Sequence, residues 1–116
     1  MLVFIYSKGG RTIAQMTYIL KNIKSFDWDK ANIVKSETKH NVKWYECEQI
    51  FFNRPLLLLD DKKHSTAEER HFVYGKTDEG RLLTIVFTIR DNKIRVISAR
   101  PMSRKERRRY ESEERI

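Results

Sequence analysis

The chain has 116 residues, with 24 Lys and Arg against 16 Asp and Glu, so its formal charge is +8. This length suits one domain with a single hydrophobic core, and the single cysteine, Cys47, excludes an intrachain disulfide framework. The apolar runs are far shorter than the roughly 20 residues of a membrane-spanning helix, and the N-terminus lacks a signal-peptide pattern. We therefore expect a cytoplasmic protein with a polyanionic or acidic partner, such as nucleic acid, an acidic membrane or an acidic protein.

The first 25 residues carry two patterns of their own. Leu2–Tyr6 predicts a short strand, and apolar residues at helical spacing predict an amphipathic helix over 12–24. Gly9-Gly10 precedes that helix but lacks the spacing and the Lys-Ser/Thr pair of a phosphate-binding loop. Packing of the helix is therefore the better interpretation of this segment.

A helix with clear ends is predicted next. Phe26–Trp28 indicates a brief extended element, after which Asp27 or Asp29 can cap a helix over Lys30–His40. Asn41 then suits the left-handed residue that ends a helix.

A second helix is predicted over Trp44–Phe52, and Pro55 ends it. One side of this helix is apolar and consists of Trp44, Cys47, Ile50 and Phe51. We expect Cys47 to be a core residue rather than a reactive thiol, because nothing near it in the sequence would stabilise a thiolate.

Four strands are predicted to follow in antiparallel meander order. Leu56–Leu59 is a continuous apolar run suited to a strand buried on both faces, and a polar loop over 60–67 follows it. In Glu69–Lys76 the side chains alternate between two faces, which predicts a strand, and the pattern of Arg81–Arg100 predicts a β-hairpin.

The turn of the hairpin determines its predicted register. Asp91-Asn92 tolerates the positive φ of a two-residue turn, so Arg90 pairs with Lys93. The predicted core face then pairs Ile89 with Ile94, Phe87 with Val96, Ile85 with Ser98 and Leu83 with Arg100. The other face pairs Thr88 with Arg95 and Thr84 with Ala99, and has Arg90, Lys93 and Arg95 near the turn and Val86 and Ile97 in its middle. Such a face indicates a polyanion partner or, equally, an ordinary solvated surface.

The last predicted helix runs over Arg104–Glu113 and is strongly basic. Ser103 and Glu106 have the spacing of a capping box. The first two turns contain Arg104, Lys105, Arg107, Arg108 and Arg109. Cations there oppose the helix dipole, so a phosphate backbone or an acidic partner chain is the expected reason for them.

The sequence contains no metal-ligand cluster, nucleotide fingerprint or nucleophile elbow, so we expect neither a metal nor a cofactor. The sequence is compatible with metal-free RNA cleavage, because the 2′-OH of RNA is then the nucleophile and the protein supplies an acid, a base and cations. Glu69 is a candidate base. The other candidates for the catalytic site are Arg70, Arg81, Arg95 and Arg100. A Glu-Arg pair at the start of a strand is also typical of a plain surface ion pair.

From Phe26 onward the chain resembles the BrnT family of bacterial type II toxins. The matching pieces occur in order: Phe26-Asp27-Trp28-Asp29 with Lys30 and Asn32, Lys39-His40 with Val42, Phe51, Pro55-Leu56, Glu69-Arg70 with Gly75, Gly80-Arg81-Leu82-Leu83, Ile94 to Arg100, and Arg104 to Glu111. Asn41 stands where the family usually has Gly, and the first 25 residues lie outside the family pattern.

The resemblance implies a RelE-like α+β fold, in which two helices pack on a four-stranded antiparallel meander and a basic C-terminal helix follows. It divides the chain into an N-terminal extension, 1–25, and a ribonuclease toxin domain, 26–116. It implies a toxin that cleaves mRNA, inhibits translation and is neutralised by a BrnA-like antitoxin, which itself binds DNA. The expected RNA-binding residues are Lys39, His40, Arg90, Lys93, Arg104, Arg107, Arg108 and Tyr110. The alternative is a non-catalytic module that uses the same basic surface to hold RNA or an acidic protein, with Glu69 buried or turned away.

Overall fold

The computed structural model describes residues 21–60 and 70–114. Within these residues, a five-stranded sheet is combined with three helices in an α+β fold. The elements are β1 (Ser25–Phe26), α1 (Lys30–His40), α2 (Trp44–Ile50), β2 (Leu57–Asp60), β3 (His71–Lys76), β4 (Leu82–Arg90), β5 (Lys93–Pro101) and α3 (Arg104–Glu114). The predicted strand at Leu2–Tyr6, the predicted helix up to residue 20 and the loop over 61–67 lie outside the described residues.

The sheet has the strand order β1-β5-β4-β3-β2. Strands β2 to β5 pair antiparallel in sequence order, which is the predicted meander. β1 adds a short parallel strand beside β5, with Phe26 opposite Ile94. The prediction of a purely antiparallel four-stranded sheet was therefore wrong, because a two-residue strand carries too little pattern to reveal its partner.

The caps of α1 explain why its bounds match the prediction. Asp29 is the N-cap, and its side chain accepts a hydrogen bond from the Asn32 backbone at 2.9 Å. Asn41 follows the helix with φ 53°, in the left-handed region. Both signals are local, so the sequence was sufficient to predict them.

α2 buries one side against the sheet, although less of it than predicted. Cys47 and Ile50 are fully buried, and burial raises the pKa of the Cys47 thiol to about 12, so the expected core cysteine is confirmed. Trp44 was predicted in the core but is 43% exposed. It is the first residue of the helix, and its ring meets the edge of the neighbouring Tyr45 ring instead of the sheet.

The main core lies between α2 with its flanking residues and one face of the sheet, which we call the inner face, while α1 packs beside β5. The strand residues in this core include Leu58, Val73, Ile85, Phe87 and Val96. Gly75 lies where α2 approaches β3 closely: a Cβ there would be 2.9 Å from the Ile50 Cβ. Because no side chain fits in that space, the glycine allows the helix to pack directly on the strand.

The register of the hairpin is as predicted near the turn and shifts by one residue beyond it. Asp91 and Asn92 both have positive φ, and the pairs Ile89 with Ile94 and Phe87 with Val96 are confirmed. A β-bulge then leaves Ile97 as an extra residue on β5. Beyond the bulge Val86 pairs with Ser98, Ile85 with Ala99, Thr84 with Arg100 and Leu83 with Pro101.

This shift corrects the prediction for the far half of the hairpin. Ala99, not Ser98 or Arg100, lies in the inner core. Arg100 therefore falls on the opposite face of the sheet, which we call the outer face, in one row with Thr84 and Tyr74.

α3 packs on the outer face through a second, smaller core. Tyr110 is fully buried there against residues that include Leu57 and Met102, and its hydroxyl donates to the Pro55 carbonyl at 2.6 Å. The predicted capping box is confirmed, because Ser103 and Glu106 each accept a hydrogen bond from the other's backbone N–H. Among the described residues, no helix is both long enough and apolar enough to span a membrane.

Candidate functional site

The predicted catalytic residues do not converge on one point in the described part of the chain. Glu69 lies outside it. Arg70 is exposed directly before β3, and the other three arginines are each bound to different acidic residues. The structure therefore offers separate arginine sites, which can be compared one at a time.

Arg81 lies on the helix side of the sheet. Its Nη1 atom donates to both carboxylate oxygens of Glu46, at 3.1 and 3.2 Å, and to the Asn41 carbonyl at 2.8 Å. Its Nη2 atom donates to the His40 carbonyl at 3.2 Å. Arg81 thus joins the end of α1 to the start of α2, and all of these partners belong to the protein itself.

Arg95 lies at the edge of β5, near the hairpin turn. Its Nη2 atom donates to Asp29 at 2.8 Å and to the Asn32 side chain at 3.2 Å. Its Nη1 atom is 3.5 Å from a carboxylate oxygen of Asp27. The Arg95 guanidinium holds the pKa of Asp29 below its ordinary value, and the same hydrogen bond raises the pKa of Arg95. Because Asn32 also donates to the Val96 carbonyl, this cluster fastens the start of α1 to β5.

Arg100 and Glu106 form a two-point ion pair on the outer face. Arg100 Nη1 is 2.6 Å from Glu106 Oε1, and Nη2 is 2.9 Å from Oε2. The Glu106 Oε1 atom also accepts from the Thr84 hydroxyl at 3.0 Å and from the Ser103 backbone at 2.8 Å. Despite burial, these hydrogen bonds, led by that from Arg100, lower the pKa of Glu106 to about 2, so the side chain is an anion at neutral pH.

Tyr74 and Thr84 belong to this site, and reasoning from the sequence missed both. Cα pairing places Tyr74 beside Thr84 and Thr84 beside Arg100, so the three lie across adjacent strands β3, β4 and β5. Burial, together with the nearby Glu106 charge, raises the pKa of the Tyr74 phenol. The signal available in the sequence was the presence of Ser98 and Arg100 on a face predicted to be dry, since such polar residues indicate an error in register.

The outer face between this site and the hairpin turn is only partly covered. Its middle row consists of the half-buried residues Leu59, Phe72, Val86 and Ser98. Towards the turn, Arg90 and Lys93 are exposed and opposite each other. Between this pair and the middle row, Thr88 pairs with Arg95, and Thr88 is buried. The face therefore has cations near both ends and a largely apolar middle row.

The remaining predicted RNA-binding residues are spread over two further surfaces. Lys39 and His40 are exposed at the end of α1, and Arg104, Arg107 and Arg108 are exposed on α3. Tyr110 is different, because its ring is fully buried and its hydroxyl is bonded to Pro55. In this structure Tyr110 holds α3 on the sheet and presents no surface to a ligand.

Comparison with known protein families shows to which family this chain belongs. The family model described as "Ribonuclease toxin, BrnT, of type II toxin-antitoxin system" matches residues 28–106, which is more than half of the chain. The chain belongs to the BrnT family of ribonuclease toxins. Since such a toxin is one half of a toxin-antitoxin pair, an antitoxin is the partner that this membership implies.

A solved structure agrees with the family assignment at the level of the fold. The 1.1 Å crystal structure of the ribonuclease toxin BrnT of Brucella abortus matches with a TM-score of 0.50 and 17% sequence identity. The match covers 69% of this chain and 97% of the Brucella chain. No curated protein sequence matches this BrnT-family toxin significantly. At this identity the likeness supports the fold, and site residues have to be argued from this chain's own geometry.

Proposed function

We propose that this toxin is a metal-independent endoribonuclease that cleaves mRNA on the outer face of the sheet and thereby inhibits translation. The observation that carries the proposal is the placement of cationic side chains along that face in a family of ribonuclease toxins. Arg100 lies at one end, and Arg90 and Lys93 lie at the other. We further propose that the fold is RelE-like and that the toxin acts in the cytoplasm, where its mRNA substrate is found.

Cleavage at such a face needs no bound group, because RNA carries its own nucleophile. A base takes the proton of the 2′-OH, whose oxygen attacks the adjacent phosphorus; the P–O5′ bond breaks, and the 5′ oxygen leaves with a proton from an acid. The product strand ends in a 2′,3′-cyclic phosphate, and the protein contributes cations that stabilise the charge developing on the phosphate oxygens. Arg100 is the best placed of the predicted catalytic arginines for this role, since it is 38% exposed on the outer face. Arg70 remains a proposed member of the site, with Glu69 as the proposed base.

Arg81 and Arg95 enter the proposal differently. The partners of Arg81 are all on the helix side of the sheet, and those of Arg95 are at the start of α1. We propose that both arginines support the site by holding α1 in place, and that Lys39 and His40 at the end of that helix extend the RNA-binding surface.

For the antitoxin, we propose a BrnA-like chain that binds the exposed cations of α3. Arg104, Arg107 and Arg108 are exposed on α3, the helix whose Glu106 binds Arg100, and we propose that a chain bound there covers the approach to Arg100. Inhibition by occlusion follows from this placement. Charge complementarity would mainly raise the association rate, and that advantage decreases as salt screens it.

A non-catalytic module is the second candidate, and one observation favours it. Arg81, Arg95 and Arg100 are each paired with an acidic residue instead of meeting at a single catalytic point. A surface of this kind can hold RNA without cleaving it.

Incubation of the purified toxin with total RNA in EDTA separates the two candidates. We expect cleavage to continue in EDTA, because the proposed reaction uses only the 2′-OH and side chains. Products ending in 2′,3′-cyclic phosphate or 3′-phosphate would identify the 2′-OH as the nucleophile. RNA that stays intact while it binds the protein would instead establish the module, and cleavage that EDTA abolishes would contradict metal independence.

A further inference from the structure

We propose that Arg100 binds a phosphate of the RNA backbone through the Nε–Nη2 edge of its guanidinium, and that Glu106 is the positioning residue that holds it there. This inference rests on the proposed function, since it takes RNA as the ligand of the outer face. It gives Glu106, which the sequence marks only as a helix cap, a second role in the same site.

The donor pattern of Arg100 is the first observation behind this proposal. A guanidinium has five N–H donors arranged along edges, each of which can form a two-point interaction with a planar acid or a phosphate. All hydrogen bonds that the Arg100 guanidinium donates to described residues come from its Nη atoms, to Glu106 and the Pro101 carbonyl. Glu106 occupies the Nη1–Nη2 edge, so the Nε–Nη2 edge remains for a ligand.

The relative exposure of the pair indicates which partner a ligand reaches. The Arg100 side chain is 38% exposed, whereas that of Glu106 is 14% exposed. A ligand that approaches the outer face therefore meets the guanidinium before the carboxylate. An anion fits this order of approach, and a phosphate matches the spacing of two adjacent N–H donors.

Glu106 is itself held firmly enough to act as an anchor. Its Oε1 atom accepts from Thr84 on β4 and from the Ser103 backbone at the start of α3. Thr84 is buried, with only 1% of its surface exposed. A guanidinium held from behind in this way loses little freedom when it binds phosphate, which is the general advantage of a preorganised donor.

The rival explanation is that the Arg100–Glu106 pair only fastens α3 to the sheet. The two explanations predict different changes in the affinity for RNA when the Glu106 charge is removed. If the pair is only structural, Glu106→Gln removes a negative charge beside an anionic ligand, and RNA binding strengthens or stays the same. If Glu106 positions Arg100, the same change weakens RNA binding although the protein becomes more positive.

The test measures binding of a single-stranded 2′-O-methyl oligoribonucleotide, which cannot be cleaved because its 2′ oxygen is blocked. We expect Glu106→Gln to weaken binding about tenfold, because a misplaced Arg100 no longer makes its charge-assisted hydrogen bonds to the phosphate. Arg100→Ala should weaken binding at least as much and reduce the slope of log K against log salt by about 0.7, the value for one phosphate fewer neutralised on a single strand. The double variant should bind like Arg100→Ala alone, because Glu106 acts only through Arg100.

Ser103→Ala is the matched control, since it removes the other half of the capping box and leaves Arg100 untouched. It should lower the urea midpoint of unfolding, because a helix cap is lost, and leave the affinity for RNA unchanged. If Glu106→Gln does not fold, Thr84→Val removes one anchoring hydrogen bond from the same carboxylate with little change of shape, and it should weaken binding less than Arg100→Ala.

The outcomes distinguish this inference from the proposed function. A parent protein that binds the oligonucleotide but cleaves no RNA overturns the ribonuclease proposal alone. A parent that cleaves RNA, with a folded Glu106→Gln or Thr84→Val variant that binds as tightly as the parent or more tightly, overturns the positioning role alone. A parent that neither binds nor cleaves overturns both.

Discussion

Two arginine–glutamate pairs in this toxin are built from the same parts and differ in what surrounds them. In each, a glutamate accepts a hydrogen bond from the backbone N–H at the start of a helix and also binds an arginine from the sheet region: Glu46 with Arg81 at α2, and Glu106 with Arg100 at α3. The arginine side chains are almost equally exposed, at 33% and 38%.

The partners of the two arginines distinguish them better than exposure does. Arg81 also binds the carbonyls of His40 and Asn41, so its guanidinium ties together two helices. Arg100 uses its Nη atoms for Glu106 and the adjacent Pro101 carbonyl, and it lies on the outer face. The donors already in use, more than exposure, therefore indicate whether an arginine serves the fold or a ligand.

The strongest test of this comparison is Arg100→Ala. Loss of a phosphate-stabilising donor typically lowers the rate on the order of 10²–10³-fold, so we expect that loss in kcat/KM for RNA cleavage. The stability of the fold should be affected less than the cleavage rate, because Tyr110 still anchors α3 in its own core. Cleavage at the parent rate by a folded variant would remove Arg100 from the site.

Arg81→Ala should show the reverse pattern. We expect a loss of about 1–3 kcal/mol in the free energy of unfolding, because the variant loses charge-assisted hydrogen bonds to Glu46 and to two carbonyls. The folded fraction should cleave RNA at close to the parent kcat. Urea denaturation and cleavage kinetics on the same preparation measure both effects, and a fall in kcat without a fall in stability would contradict the structural role.

A further expected effect is a dependence of the unfolding free energy on pH that belongs to Glu106. Its pKa is about 2 in the folded protein, below the ordinary 4.5, so its contribution to stability is complete above pH 4.5 and is lost as the pH falls towards 2. The difference in unfolding free energy between the parent and Glu106→Gln should therefore narrow from pH 6 to pH 2. A difference that stays constant over this range would show that the carboxylate is not held as an anion by Arg100.

Several features of the fold could be predicted because their causes are local. Asp29 caps the start of α1 and Asn41 caps its end. Ser103 and Glu106 cap the start of α3, and Asp91-Asn92 forms the hairpin turn. Each of these depends on residues within a few positions of one another. The resemblance to the family added the ribonuclease class and the antitoxin partner.

The arrangement of the candidate site could be predicted much less well, and Arg100 shows why. A one-residue bulge at Ile97 moves Arg100 from the predicted core face to the outer face, beside Thr84. Alternation along a strand assumes regular pairing, so one extra residue reverses every side chain beyond it. Trp44 is a second example, on a helix. Helical spacing placed Trp44 on the apolar side of α2, but it could not predict that the side chain is exposed at the first turn.

The caps, the turn, the strand order of the meander and the buried Cys47 could be predicted from the amino-acid sequence alone, and its ordered motifs indicated the family. The structural features follow from local backbone preferences and from apolar patterning among neighbouring residues, whereas the family follows from the resemblance. The acid that each arginine meets is seen only in the folded protein: Glu46 for Arg81, Asp29 for Arg95 and Glu106 for Arg100. These partners are brought together by the bulge and by helix packing, and the energies that select them arise only when distant segments already lie side by side.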